Sequence, residues 1–132
     1  MKKYSLNKQE RLKSQIFIKD LFTTSSSFGK RPLRILWNSR EVSKNKSTCK
    51  IVVAVPKRNI KKAVERNRIK RMIKEAYRVN KIDILSFFNE RNVECHLGIL
   101  FVGKSMVTFE NINEAMCILL EKLPKEYEKH IK

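Results

Sequence analysis

The 132-residue sequence contains few acidic residues and lacks the features of a membrane or secreted protein. No stretch approaches the roughly 20 consecutive apolar residues that a membrane-spanning helix needs. The first residues, MKKYSLNKQERLK, contain neither the apolar segment nor the cleavage site of a signal peptide. We therefore expect a cytoplasmic protein that has no membrane partner.

The sequence also lacks the side-chain groupings that indicate a metal centre or a protein-borne nuclease site. Protein sites that cleave phosphodiester bonds with Mg²⁺ generally hold the ion with clustered carboxylates, whereas Asp20 and Asp83 are isolated. His96 and His130 are distant from the basic segment described below and are interpreted as a strand-edge residue and a tail residue. The cysteines form no CxxC pair and are expected to be reduced structural thiols: Cys49, Cys95 and Cys117.

Positive charge is abundant: 30 Lys and Arg residues stand against 13 Asp and Glu residues, and the net charge is +17. A protein with this balance attracts polyanions, and RNA, DNA and anionic membranes are the candidates. About half of the net charge lies between Lys57 and Arg78, where ten cations are interrupted only by Glu65 and Glu75. Because solvated helix faces normally mix the two signs, this segment favours a nucleic-acid partner.

The pattern of apolar residues predicts one α+β domain over residues 1–132, a two-layer α/β sandwich with a small mixed sheet. The basic helix is placed in a βαβ-type crossover of that sheet. We expect residues 1–13 to form a flexible basic arm and residues 40–47 a polar loop. The predicted elements are a helix over 14–24, a strand over 32–37, a central strand over 51–55, the basic helix over 60–80, a short helix over 82–89, a strand over 97–102 and a helix over 109–123 that Pro124 ends.

The strand over 32–37 alternates in character, which predicts one core face and one wet face. Leu33, Ile35 and Trp37 share the side expected to face the core. Arg34 and Leu36 share the opposite side, which is expected to be accessible to a partner.

The basic helix is predicted to have two faces. At 100° per residue, an arc of roughly 140° is polar and cationic, and the opposite arc is apolar. The polar arc contains Arg66, Asn67, Lys70, Arg71, Lys74 and Arg78. The apolar arc contains Ile69, Met72, Ile73, Ala76 and Val79. Like charges four residues apart repel each other, so the phosphates of a partner would relieve a repulsion that the helix alone does not favour.

Asn67 adds a neutral donor and acceptor to the cationic arc. Such a group can contact a base edge, a ribose hydroxyl or a metal-bound water selectively, which a charge cannot do. The mixture favours docking on a structured nucleic acid.

The stretch from Ala63 to Arg78, AVERNRIKRMIKEAYR, closely resembles the signature of the bacterial ribonuclease P protein subunit. The family pattern is A-V-x-R-N-R-x-K-R followed by an apolar pair and a basic-acidic-Ala-aromatic run, and every fixed position matches. The resemblance extends upstream through Val55-Pro56-Lys57-Arg58 to Arg11-Leu12.

This resemblance implies a protein that binds a large catalytic RNA, in a 1:1 complex, and with it removes the 5′ leader from precursor tRNA. Catalysis would belong to the RNA, which would also bind most of the Mg²⁺ cofactor, with Asn67 at most sharing a metal with the RNA. The residues implied in RNA-subunit binding are Arg66, Asn67, Arg68, Lys70, Arg71 and Lys74. The residues implied in leader binding are Ile18, Phe22, Arg34, Leu36, Lys57 and Arg58.

Two other interpretations follow from charge and size alone. The first is a structural RNA-binding protein of ribosomal type that has no role in tRNA processing. The second is a DNA-binding module that places the basic helix in a major groove. Preference for ribosomal RNA or for duplex DNA, respectively, would distinguish them.

Overall fold

A computed structural model describes residues 26–43 and 49–131 of the chain. The elements within these ranges are β1 (Ser26–Lys30), β2 (Leu33–Glu41), β3 (Cys49–Ala54), α1 (Ala63–Asn80), α2 (Ile82–Glu90), β4 (Val93–Phe101) and α3 (Phe109–Ile131). The predicted arm and first helix, with Ile18 and Phe22, lie outside the described residues, as do residues 44–47 of the predicted loop. The predicted α+β fold is confirmed.

The sheet has the strand order β1-β2-β4-β3. β2 pairs antiparallel with both β1 and β4, whereas β3 and β4 are parallel. Parallel neighbours need a crossover connection. The connection from β3 to β4 contains α1 and α2, so the predicted βαβ-type crossover with the basic helix is confirmed.

The strand over 51–55 was predicted to be central in the sheet, and this prediction is wrong. In the structure β3 is an edge strand and β4 is an interior strand. A short apolar run such as Ile51-Val52-Val53 indicates burial without showing which neighbours supply it. In the structure Val52, Val53 and Ala54 are half-buried, while every residue from Val93 to Ile99 is buried. β4 also begins four residues before the predicted start, because it is paired with both β2 and β3.

Strand β1 was not predicted, and β2 is longer than predicted. The residues of β1, SSFGK, are mostly polar, and they form a strand by pairing with β2 from Ser26↔Trp37 to Lys30↔Leu33. At its other end β2 continues through Glu41, which pairs with Val93. The predicted loop therefore begins too early at residue 40. Both differences result from strand pairing, which local sequence does not reveal.

The apolar faces of the helices and one face of the sheet form the core. Leu33, Ile35 and Trp37 are buried, as their alternation predicts. The core side of α1 consists of Ile69, Ile73, Ala76 and Tyr77. Val79, which was predicted to belong to this side, is 41% exposed. It lies about 120° around the helix from Ile73, at the margin of the apolar arc.

Pro124 does not end the last helix as predicted, because α3 continues through it to Ile131. A proline inside a helix costs about 3 kcal/mol. Leu123 and Tyr127 on either side of it are buried, and the Tyr127 ring lies 5.3 Å from that of Phe88 and 6.2 Å from that of Trp37. Burying two such side chains contributes about 3–6 kcal/mol, which offsets the cost of the proline.

A polar network joins the end of α1 to α3. The Asn80 amide donates to the Ala76 carbonyl at 2.7 Å and to Asn113 Oδ1 at 2.8 Å. The Cys117 thiol donates to Asn80 Oδ1 at 3.2 Å. The network fixes the C-terminal end of α1, so the direction of its outward face is set by the rest of the fold.

Replacing Ile73 with Ala should test the packing that orients α1. Ile73 is completely buried, so we expect the free energy of unfolding to fall by about 2–5 kcal/mol. Val64→Ala on the same helix is the matched control, because Val64 is 78% exposed and its loss should change stability by about 0.5 kcal/mol or less. Urea denaturation measures both, and equal effects would contradict the proposed orientation of the helix.

Candidate nucleic-acid interface

The outward face of α1 carries most of the predicted RNA-binding side chains. Asn67, Arg68, Arg71 and Lys74 are exposed, and Lys70 is half-buried on the same helix. Neighbours three and four residues apart on a helix stand about 5–6 Å apart, so these groups form a closely spaced row. The packing of the opposite side holds that row on a rigid element, and Arg68 is exposed beside it although it lies outside the predicted polar arc.

The cationic row is partly neutralised at its C-terminal end. Arg78 Nε donates to Glu75 Oε1 at 2.9 Å, and a second contact joins the same two side chains. The hydrogen bond from Arg78 holds the pKa of Glu75 below its usual range. The positive charge of α1 is therefore concentrated in the part of the helix that precedes this pair.

Arg66 differs from the other members of the predicted set because its side chain turns back on the preceding segment. It is half-buried, and its Nη1 donates to the carbonyls of Ile60 at 3.0 Å and Lys61 at 2.7 Å. Sequence periodicity places Arg66 on the polar arc but gives no sign of these two hydrogen bonds. The structure therefore separates Arg66 from Arg68, although the two belong to one tripeptide motif.

The segment from Pro56 to Lys62 forms a fixed approach to α1. The Pro56 carbonyl accepts hydrogen bonds from the amides of Asn59 at 3.0 Å and Ile60 at 3.2 Å. The Asn59 side-chain amide donates to the carbonyl of Phe101 at 3.3 Å, which ties the segment to the end of β4. Its exposed side chains are Lys57, Arg58, Lys61 and Lys62.

Arg34 lies on the outer face of the sheet, away from the helices. It is exposed, and its Nη2 donates to Ser27 Oγ at 2.9 Å. Its guanidinium passes over Gly29, where a Cβ atom would lie 3.2 Å from Nη1. Leu36 follows on the same face and is half-buried. The predicted assignment of these two residues to the outer face is confirmed.

The sheet brings Arg34 and the approach segment to the same end. Arg34 pairs with Leu100, and Leu100 pairs with Ala54 of β3. Two strand spacings separate Arg34 from Ala54, which is about 10 Å. Pro56, Lys57 and Arg58 follow shortly after Ala54, so Arg34 and the approach segment lie at the same end of the sheet. The other residues predicted to bind the leader, Ile18 and Phe22, lie outside the described residues.

A buried charged cluster at the opposite end of this face was missed from the sequence. His96 was interpreted as a strand-edge residue, but it is 3% exposed and lies in the interior strand. Its Nε2 lies 2.5 Å from Glu94 Oε2, which also approaches Arg40 Nη2 at 3.4 Å and Lys50 Nζ at 4.0 Å. Two polar residues two positions apart in an apolar strand were the only signal of this cluster.

The pKa of Glu94 reflects a balance of opposing effects. Burial by itself would raise the pKa, but the hydrogen bond from His96 and the charges of Lys50, His96 and Arg40 hold it below its usual range. The charged carboxylate is therefore the stable form in the folded protein at neutral pH.

The donor set of the cationic face does not fit a Mg²⁺ site made by the protein alone. Mg²⁺ prefers carboxylate oxygens and water, whereas Asn67 supplies one amide oxygen among cations. Residues 26–43 and 49–131 contain no group of three or more His, Cys, Asp or Glu side chains that could hold a metal ion. In the same ranges, no helix has the length and apolar character needed to cross a membrane.

Comparison with known proteins identifies the family. The family model for Ribonuclease P matches residues 6–123, which include α1 and the whole sheet. The chain belongs to the ribonuclease P protein family. It is 31% identical over 114 residues to the ribonuclease P protein component of Porphyromonas gingivalis, covering 86% of this chain and 82% of that protein. It is 27% identical over 128 residues to that of Chlorobium phaeobacteroides, covering 90% and 88%.

Solved ribonuclease P proteins share the fold. The protein from Staphylococcus aureus matches with a TM-score of 0.64 and 22% identity, covering 85% of this chain and 93% of that one. The protein from Thermotoga maritima matches with a TM-score of 0.66 and 19% identity, covering 86% and 97%. The predicted membership of the ribonuclease P protein family, with its link to tRNA processing, is confirmed.

The buried carboxylate of Glu94 should make stability depend on pH. Its pKa is lower in the folded protein than the ordinary value of 4.5, so its contribution is present above that value and is lost as the pH falls through the folded pKa. We expect Glu94→Gln to reduce the loss of urea stability as the pH falls from about 5 to about 3. Glu121→Gln, at an exposed position of α3, is the control. An unchanged pH profile in Glu94→Gln would contradict the assignment.

Proposed function

We propose that this protein is the non-catalytic protein subunit of ribonuclease P, acting in the cytoplasm on precursor tRNA. One protein binds one catalytic RNA and the 5′ leader, and assists the Mg²⁺-dependent removal of that leader. The observation that supports this proposal most directly is the exposed cationic row on α1 at the Arg66-Asn67-Arg68 motif. The match of the family model across this region adds to it.

The row on α1 suits the docking of a folded RNA. Arg68, Arg71 and Lys74 are exposed cations on a rigid helix, and each can replace counterions at a phosphate. Asn67 stands among them as a neutral donor and acceptor for a base edge or a ribose hydroxyl. Lys70, which is half-buried, and Arg66, which is bound to two carbonyls, complete the set that we assign to the RNA subunit.

The outer sheet face suits a single strand. Single-strand sites combine cations that follow the phosphates with apolar or aromatic groups that contact the bases. Arg34, Lys57 and Arg58 supply the cations at one end of this face, and Leu36 supplies an apolar surface beside Arg34. Ile18 and Phe22 belong to the same site on the basis of the family pattern. Contact with the leader would distinguish precursor from mature tRNA.

The chemical step is assigned to the RNA. The side chains at the proposed interface are cations, amides and apolar groups, none of which can hold Mg²⁺ in place of clustered carboxylates. The protein contributes by reducing phosphate repulsion where the two RNAs meet, which lowers the Mg²⁺ concentration that assembly requires.

A cleavage assay tests the function. The purified protein is added to its cognate ribonuclease P RNA and a precursor tRNA at a Mg²⁺ concentration too low for the RNA alone. We expect the protein to stimulate removal of the 5′ leader, because it neutralises phosphates that Mg²⁺ would otherwise screen. No stimulation, together with tight binding to ribosomal RNA, would overturn the proposal in favour of a structural RNA-binding protein.

Arg34→Ala tests the leader site. The exposed guanidinium of Arg34 can contact a leader phosphate, so we expect the assembled ribonucleoprotein to bind precursor tRNA about threefold to tenfold more weakly. Binding of mature tRNA should not change, because it has no leader. Lys122→Ala, at an exposed position of α3, is the control and should alter neither affinity. Equal losses for precursor and mature tRNA would remove Arg34 from the leader site.

A further inference from the structure

The hydrogen bonds of Arg66 give it a role different from that of its neighbours on α1. A single nitrogen, Nη1, donates to two successive carbonyls, those of Ile60 and Lys61. These carbonyls precede the first residue of the helix, Ala63. The Arg66 side chain therefore spans the junction between the approach segment and α1, and connects the two by hydrogen bonds.

Among the residues that the structure describes, no side chain caps the start of α1 by a hydrogen bond. Lys62 occupies the position before the helix and makes no capping hydrogen bond through its side chain. Residues of the types that usually cap a helix start bond the free amides of the first turn, and Lys cannot accept such a bond. The backbone hydrogen bond from the Arg66 amide to the Lys62 carbonyl is the first of the helix. The Arg66 side chain binds the carbonyls of Ile60 and Lys61, the two residues before Lys62.

The approach segment needs such support because it concentrates positive charge. Lys57, Arg58, Lys61 and Lys62 are exposed within six residues. These four cations repel one another. If only the first half of the segment were held, the repulsion would displace Lys61 and Lys62 in the second half. The carbonyl of Pro56, the side chain of Asn59 and the buried side chain of Ile60 hold the first half. Arg66 holds the second.

We propose that Arg66 is a positioning residue, which binds the Ile60 and Lys61 carbonyls and so holds the cations of the approach segment in place for RNA. This inference rests on the proposed function and refines it. Arg68 contacts RNA through its own charge, whereas Arg66 acts through Lys57, Arg58, Lys61 and Lys62. The two arginines of one motif then have separate tasks.

Hydrogen exchange of the free protein tests the positioning itself. In Arg66→Ala the amides of Ile60 and of residue 66, which flank the second half of the segment, should exchange about tenfold faster, since the two hydrogen bonds that restrain that half are lost. Amides of β4 should keep their wild-type rates, which separates a local effect from general destabilisation. Arg68→Ala is the matched control and should leave the segment unchanged. Wild-type exchange of these amides in Arg66→Ala would overturn the proposal.

A double-mutant cycle tests the consequence for RNA binding. The affinity for the cognate ribonuclease P RNA is measured for Lys61→Ala/Lys62→Ala, which removes the exposed cations beside the carbonyls that Arg66 binds, in the wild-type, Arg66→Ala and Arg68→Ala backgrounds. If Arg66 positions these cations, the loss caused by removing them should be smaller in Arg66→Ala by a factor of about two or more. In the Arg68→Ala background, removing these cations should weaken RNA binding by the same factor as it does in the wild type.

Independent losses in both backgrounds would overturn the positioning role, because Arg66 would then act as a direct contact. A different result would contradict the proposed function. If Arg68→Ala, Arg66→Ala and Lys61→Ala/Lys62→Ala all bind the RNA as the wild type does, the surface itself is misassigned. The exchange rates of the free protein would then still decide whether Arg66 restrains the segment.

Discussion

Burial of one side of α1 determines what its other side presents. Ile69, Ile73, Ala76 and Tyr77 pack against the core, and the Asn80 network ties the end of the helix to α3. Rotation of the helix would expose these side chains, at a cost of about 1.5–3 kcal/mol for each large one. The cations on the opposite side are therefore held outward, although they repel one another. This constraint turns a charged segment into an oriented surface.

The parallel pairing of β3 and β4 supplies the second constraint. It forces the chain between them to cross over, and it places the approach segment next to the end of β4. The same end of the sheet carries Arg34 on its outer face. The approach segment therefore lies between two surfaces that are distant in sequence, the α1 face and the outer sheet face, and fixes where each one starts.

Local patterns predicted the individual helices and the two-faced basic helix because these depend on periodicity within one element, and the order of the elements along the chain indicated the α+β fold with its crossover. They failed where a partner strand decides the result. β1 forms only by pairing with β2, and the buried position of His96 follows from the place of β4 between two neighbours. Pro124 stays inside α3 because Tyr127 has an aromatic partner in Phe88, which the sequence does not reveal. For the site, periodicity placed Arg66 on the polar arc but gave no sign that its side chain binds two carbonyls, since these carbonyls belong to the approach segment.

The salt dependence of binding to the ribonuclease P RNA tests the central claim most directly. A triple alanine variant of Arg68, Arg71 and Lys74 is compared with one of Lys122, Lys125 and Lys129, which are equally exposed on α3. If the α1 face docks on RNA, the slope of log K against log salt should become shallower by about two to three in the first variant and stay at the wild-type value in the second. Equal slopes in the two variants would contradict this account.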